Sequence, residues 1–302
     1  MTAAAIDGAA VRFERLTLKP PAFAGVLANA RMRSMHVRDT SCRPILIQIG
    51  QVLALLVIIS VLWIGFIAVF NPHGPLGSRI IGAGFGMAAL RDFLNVSSII
   101  ALVIVTMLLR RKTLGPALFE MGVLPFSWQG LSAPLLIIGI SAALLFAFGH
   151  TPHFGSPSSL VAVSIVGTFV EEIVFRGFLF QQFRRWARVP FWPAAVISSI
   201  PFALVHLYQG SSIIVLVEVL AVTFTGGIVF CWLVERWGNL WAAWSLHAGF
   251  DFMFMIFSLG ATAAGNRIGN VERSFVIILV IGATFILTRR RVAVIQGEVA
   301  KT

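Results

Sequence analysis

Residues 169–176, Phe169-Val170-Glu171-Glu172-Ile173-Val174-Phe175-Arg176, place two carboxylates and a guanidinium inside an apolar run from about Leu160 to Phe183. That run is long enough to cross a bilayer core as a helix, which takes about 20 residues. A charge at mid-membrane depth costs at least about 2.5 kcal/mol even on the most lenient scale. So many charges in so short a stretch make a poor anchor, and ionisable residues inside a membrane point to function. Spacing names the first partner. Glu172 and Arg176 are four apart, share a helix face, and stand in the favourable order with the carboxylate first. Glu171 lies about 100° round the helix and has no partner in its own segment. It needs one from another helix, or a proton, or a wet cavity.

The composition fits a membrane setting. The chain has 302 residues, 58% hydrophobic and 12% charged, whereas a soluble domain is about a quarter charged. A net charge of +11 would suggest nucleic acid in a soluble protein. Here the basic residues flank apolar runs, where topology and anionic lipid account for them, and no nucleic-acid module is visible. Cys42 and Cys231 form no Cys-x-x-Cys pair, so neither a disulfide framework nor a thiolate metal site is implied. No signal-peptide core precedes Ile45. The terminal Glu-Val-Ala-Lys-Thr is not a prenylation substrate.

The expected fold is all-α, a polytopic transmembrane bundle of about eight spans with both termini cytoplasmic. Residues 1–44 form a basic cytoplasmic tail. Residues 45–130 hold N-terminal spans at about Ile45–Phe70 and Phe93–Leu109, the turn Asn71–Pro75 and a glycine-rich half-helix at Ile80–Leu90. Residues 131–260 form the core, with spans at about Leu131–Phe148, Leu160–Phe183, Ala194–Tyr208, Ser212–Val234 and Leu240–Leu259. Residues 261–302 carry a last span, about Phe275–Leu287 with a start that lies earlier, and a basic tail. Eight spans leave only Arg79, Arg91, Arg267 and Arg273 outside, an asymmetry that puts both termini inside. The expected location is an integral, multi-pass position, in the plasma (inner) membrane of a bacterial host.

The acidic residues within expected spans are Glu171, Glu172, Glu218 and Asp251, and the histidines are His206 and His247. His247 and Asp251 are four apart and share a face. Glu171, His206, His247 and Asp251 thus come from three helices, and they suit two chemistries. They can hold a divalent metal such as zinc, whose bound water becomes nucleophilic near neutral pH. Alternatively, Glu171 in its low-dielectric setting acts as general base on water, assisted by His206, while His247 and Asp251 meet the developing oxyanion. Both chemistries lead to hydrolysis within the membrane.

Glu171-Glu172-x-x-x-Arg176, Phe202-x-x-x-His206 and His247-x-x-x-Asp251, in that order, resemble the three motifs of the CPBP family of intramembrane proteases, also called the CAAX-protease and bacteriocin-processing, or Abi, family. The resemblance covers about residues 131–260. It implies an endopeptidase acting on membrane-associated peptides or proteins, among them prenylated or bacteriocin-like ones. It also implies catalytic roles for Glu171, His206, His247 and Asp251, supported by Glu172, Arg176 and Phe202. The family has been called both metalloprotease and glutamate protease. Eukaryotic CAAX proteases carry Asn at the position of Asp251. An ionised Asp lacks the N–H that an Asn offers an oxyanion, so Asp251 needs a proton, or orients His247, or binds metal.

Plainer readings stand beside these. Glu172–Arg176 suits a structural ion pair, and His206 or His247 taken singly suits a packing histidine. Glu218 reaches an interface, His150 and His153 lie in a solvated loop, and the Trp residues at 232, 237, 241 and 244 form an interfacial belt. The competing functions are a proton-coupled transporter, which would show flux without cleavage, and a non-catalytic scaffold descended from such a protease.

Overall fold

The computed structural model describes residues 87–299, with side chains over 96–289, together with positions 50, 53, 54 and 57. The expected tail 1–44, the first span, the 71–75 turn, the glycine-rich residues 80–86 and residues 300–302 lie outside the described residues. Among the described residues every regular element is helical. They are α1 Met87–Arg110, α2 Leu114–Glu120, α3 Trp128–Ala147, α4 Pro157–Trp186, α5 Phe191–Leu204, a 3₁₀ turn Leu207–Gln209, α6 Ile213–Trp237, α7 Trp241–Ile256 and α8 Arg267–Val299.

Length and apolarity qualify four of them to cross a bilayer: α3, α4, α6 and the Arg267–Arg289 part of α8. The protein is therefore an integral membrane protein. The Val96–Arg110 part of α1 and α5 are apolar but shorter. The expected spans at Leu131–Phe148, Leu160–Phe183 and Ser212–Val234 coincide with α3, α4 and α6. Two others differ. The helix expected to run to Tyr208 ends at Leu204, and the last helix begins at Arg267, so Arg273 lies within a helix rather than in a loop.

Local chemistry sets several of the ends. Ser127 and Ser212 cap α3 and α6, accepting the backbone N–H of Gly130 at 3.0 Å and of Val215 at 3.3 Å, which satisfies donors that an open helix start leaves free. Gly238 closes α6 at φ +69°, a left-handed geometry that suits glycine.

The core is built on close helix approach. α7 presents Ala242, Ser245 and Gly249 to α3. A Cβ on Gly249 would lie 2.8 Å from Ile138, and Ser245 Oγ donates to Gly130 O at 3.3 Å. Small residues and cross-helix hydrogen bonds replace the hydrophobic driving force that lipid does not supply between helices. Trp237 departs from the expected belt: it is buried and its Nε1 donates to Thr284 Oγ1 of α8 at 3.2 Å.

α4 is not a uniform α-helix. Wider π-helical turns at Val161–Gly167, Ile173–Phe180 and Gln182–Trp186 flank the α-helical turn Thr168–Glu172, which carries both glutamates. Such widened turns recur at functional sites. Gly177 lets α4 touch its neighbours, since a Cβ there would lie 2.9 Å from Met121 O.

Candidate active site

The two glutamates of α4 have opposite surroundings. Glu172 is fully buried, and its Oε1 accepts from Arg176 Nη1 at 3.1 Å, the contact that the four-residue spacing led one to expect. The same oxygen lies 2.9 Å from His247 Nδ1 on α7. Glu172 thus joins α4 to α7 as well as pairing within its own helix. Arg176 is also fully buried, and its Nε and Nη2 have no hydrogen-bond partner. Aromatic faces stand in their place: the guanidinium carbon lies 4.0 Å from the Phe202 ring centre, 5.0 Å from that of Phe230 and 5.9 Å from that of Phe175. A desolvated cation–π contact of this kind contributes about 2 kcal/mol. Gly227 of α6 makes room, because a Cβ there would meet Ser199 Oγ at 2.7 Å and Arg176 Nη2 at 3.3 Å.

Glu171 keeps 37% of its side chain exposed, and its Oε2 lies 3.8 Å from His247 Nε2. That is too long for a hydrogen bond. His247 therefore stands between the two glutamates, with Nδ1 against Glu172 and Nε2 towards Glu171. Phe230 stacks on its ring at 4.9 Å and 22°, and Phe202 meets its ring edge-on at 5.9 Å.

His206 lies just past the end of α5, with φ −94° and ψ 3°. Its backbone N–H donates to Ala203 O at 3.0 Å, a tightened last turn. Its Nδ1 lies 2.8 Å from Phe202 O and donates to it, which satisfies a carbonyl that the helix end would otherwise leave free and turns Nε2 outward.

His206, His247 and Asp251 line one cavity of about 110 Å³, together with Phe202, Phe230 and Arg273. Glu171 is not on its wall; it reaches the group through His247. Three of the four expected residues thus meet at the cavity, and the fourth lies off its wall, 3.8 Å from His247 Nε2. Among the described residues no group of three or more His, Cys, Asp or Glu side chains is arranged to hold a metal ion. The residues as placed do not fit a resident zinc, and no step below is routed through one. Glu218 is exposed, away from this group.

Phe230, Gly227 and Arg273 were not foreseen. Gly226-Gly227 inside an apolar span was a signal for close approach, and Arg273 was legible only once α8 was known to start at Arg267.

Carboxylate, imidazole and guanidinium groups thus meet from α4, α7 and the end of α5 inside a membrane protein. Residues 153–253 match the family model described as Type II CAAX prenyl endopeptidase Rce1-like. That segment contains all three of the motifs quoted above and is similar to the CAAX-protease (CPBP) family. No curated protein and no solved structure matches the chain.

Proposed function

We propose that the protein is an intramembrane endopeptidase that hydrolyses peptide bonds of membrane-associated peptides or proteins. The observation that carries this reading is His247 held between Glu172 at 2.9 Å and Glu171 at 3.8 Å beside a cavity that His206 and Asp251 share. Glu171 takes a proton from water, with His206 Nε2 orienting that water. The water oxygen bonds to the carbonyl carbon of the scissile peptide. His247 and a protonated Asp251 donate to the resulting oxyanion. Collapse breaks the C–N bond, and the proton passes to the leaving nitrogen. Glu172 and Arg176 take no part in bond making; they hold His247 in place.

The test is cleavage of a peptide and membrane-protein library by the purified protein in lipid vesicles, read by mass spectrometry, with and without chelator. Wild type is expected to cleave and to be insensitive to chelator. Glu171→Gln and His247→Ala are expected to lose about 10²–10⁴-fold in rate while remaining folded. Ion flux without cleavage would favour a transporter instead.

Asp251→Asn sharpens the assignment of the oxyanion donor. It supplies an N–H without needing a proton, so activity is expected to hold or rise, most visibly at higher pH. A loss of activity comparable to that of Glu171→Gln would remove the donor role.

A further inference from the structure

The cavity wall carries one group that the proposed reaction leaves unused. Arg273 of α8 faces the same space as His206, His247 and Asp251. Its Nη2 donates to Ala263 O at 2.8 Å, its Nη1 donates to Asn270 Oδ1 at 3.2 Å, and its guanidinium carbon lies 4.7 Å from the Phe254 ring centre. Those contacts hold the side chain from three directions. They use two of the five N–H donors that a guanidinium carries. No carboxylate pairs with it within salt-bridge distance among the described residues. The neighbouring Glu272 is turned away, accepting from Ser141 Oγ of α3 at 3.0 Å.

A cation fixed on the wall of a largely apolar cavity, with donors to spare and only the longer-range charges of Asp251 and Glu272 near it among the described residues, suits an anionic ligand group. The size of the space narrows the choice. At about 110 Å³ it is smaller than the roughly 150 Å³ cavity that admits benzene. The space is open on one side, so a chain end or a short side chain can enter it while the rest of the substrate stays outside. The guanidinium fork matches a carboxylate in geometry, with paired N–H···O bonds. Asp251 on the same wall is engaged with the scissile carbonyl in the proposed reaction, which leaves the α8 side, where Arg273 is anchored, as the place for a carboxylate.

We propose that Arg273 is a specificity-determining residue: it binds a substrate carboxylate close to the scissile bond while that bond lies against His247 and Asp251. The carboxylate is either a free C-terminus or an Asp or Glu side chain. This rests on the protease reading above, and the experiment separates the two.

The probes are matched peptides, drawn from a sequence that the protein cleaves or binds: one with a free C-terminal acid, one amidated, and one amidated with a Glu near the end. Binding to the protein in lipid vesicles and kcat/KM for cleavage are both measured, for wild type, Arg273→Gln and Arg273→Lys. The free acid, the Glu peptide, or both are expected to bind about 10- to 100-fold more tightly than the plain amide. Which of them does so identifies the source of the carboxylate. Arg273→Gln is expected to abolish the preference, and Arg273→Lys to restore part of it. A merely structural Arg273 would weaken all three peptides alike in the Gln variant, and that result overturns the proposal. Equal binding of all three peptides by wild type overturns it as well. Selective binding without cleavage would leave Arg273 as a carboxylate site and remove the protease reading.

Discussion

The two faces of α4 at the site carry the same side chain and do different work. On the sealed face, Glu172 and Arg176 are fully buried, bonded to each other and enclosed by Phe175, Phe202 and Phe230. On the open face, Glu171 is partly exposed and its Oε2 lies 3.8 Å from His247 Nε2. A charge enclosed without water is stable only when each group has its counterpart, so the sealed face is a structural clamp. A carboxylate with a free edge and a neighbouring imidazole is available to move a proton. Adjacent positions on one helix turn thus separate holding from reacting, and His247 links them because its two ring nitrogens face the two glutamates.

The largest expected effect is on the sealed face. Arg176→Met fills similar space but leaves Glu172 buried without its cation. It is expected to destabilise the protein by about 3–5 kcal/mol, the usual cost of breaking one side of a buried pair, measured as the shift in thermal unfolding in lipid. Unfolding at the wild-type temperature would mean that the aromatic enclosure and the clamp contribute nothing, and the comparison would fail. A smaller effect is expected at the floor of the clamp. Gly227→Ala forces a methyl against Ser199 and Arg176 and is expected to cost about 1–3 kcal/mol by overpacking. Full stability in that variant would show that α5 and α6 part easily there.

The smallest effect sharpens the comparison from outside the membrane-spanning segments. Glu120 also meets two cations, Arg110 Nε at 3.0 Å and Lys112 Nζ at 2.6 Å, with the Trp186 ring 5.1 Å from the Arg110 guanidinium carbon where the sealed face of α4 has three phenyl rings. Burial alone would raise its carboxyl, but the hydrogen bonds and charges of Arg110 and Lys112 outweigh that and hold it below the usual 4.5. A depressed folded-state value stabilises the fold above the unfolded value, and this stability is lost as pH falls through the folded one. The unfolding temperature is therefore expected to drop on acidification below about pH 4.5. Glu120→Gln is expected to flatten that part of the profile and to cost about 0.5–1.5 kcal/mol at neutral pH. An unchanged profile would show that this cluster is held by packing alone.

Much of this was legible in the sequence. Apolar run length located α3, α4 and α6, because a bilayer imposes its own ruler. The four-residue spacing of Glu172 and Arg176 is local geometry and survived even though α4 widens after Glu172. What was not legible depends on contacts between helices. The stop of α5 at Leu204 reflects the side chain of His206 capping its own helix, and the early start of α8 moved Arg273 from an expected loop to the cavity wall. The bond from Glu172 to His247 joins positions 75 residues apart. No periodicity could announce it, nor the stacking of Phe230 on His247.

The most direct test of the division between the two faces measures cleavage rate and thermal unfolding together for Glu171→Gln and Glu172→Gln in lipid vesicles. Glu171→Gln is expected to lose about 10²–10⁴-fold in kcat with its unfolding temperature unchanged. Glu172→Gln is expected to lose stability, because Arg176 is left without its carboxylate. Wild-type cleavage by a folded Glu171→Gln protein would contradict that division.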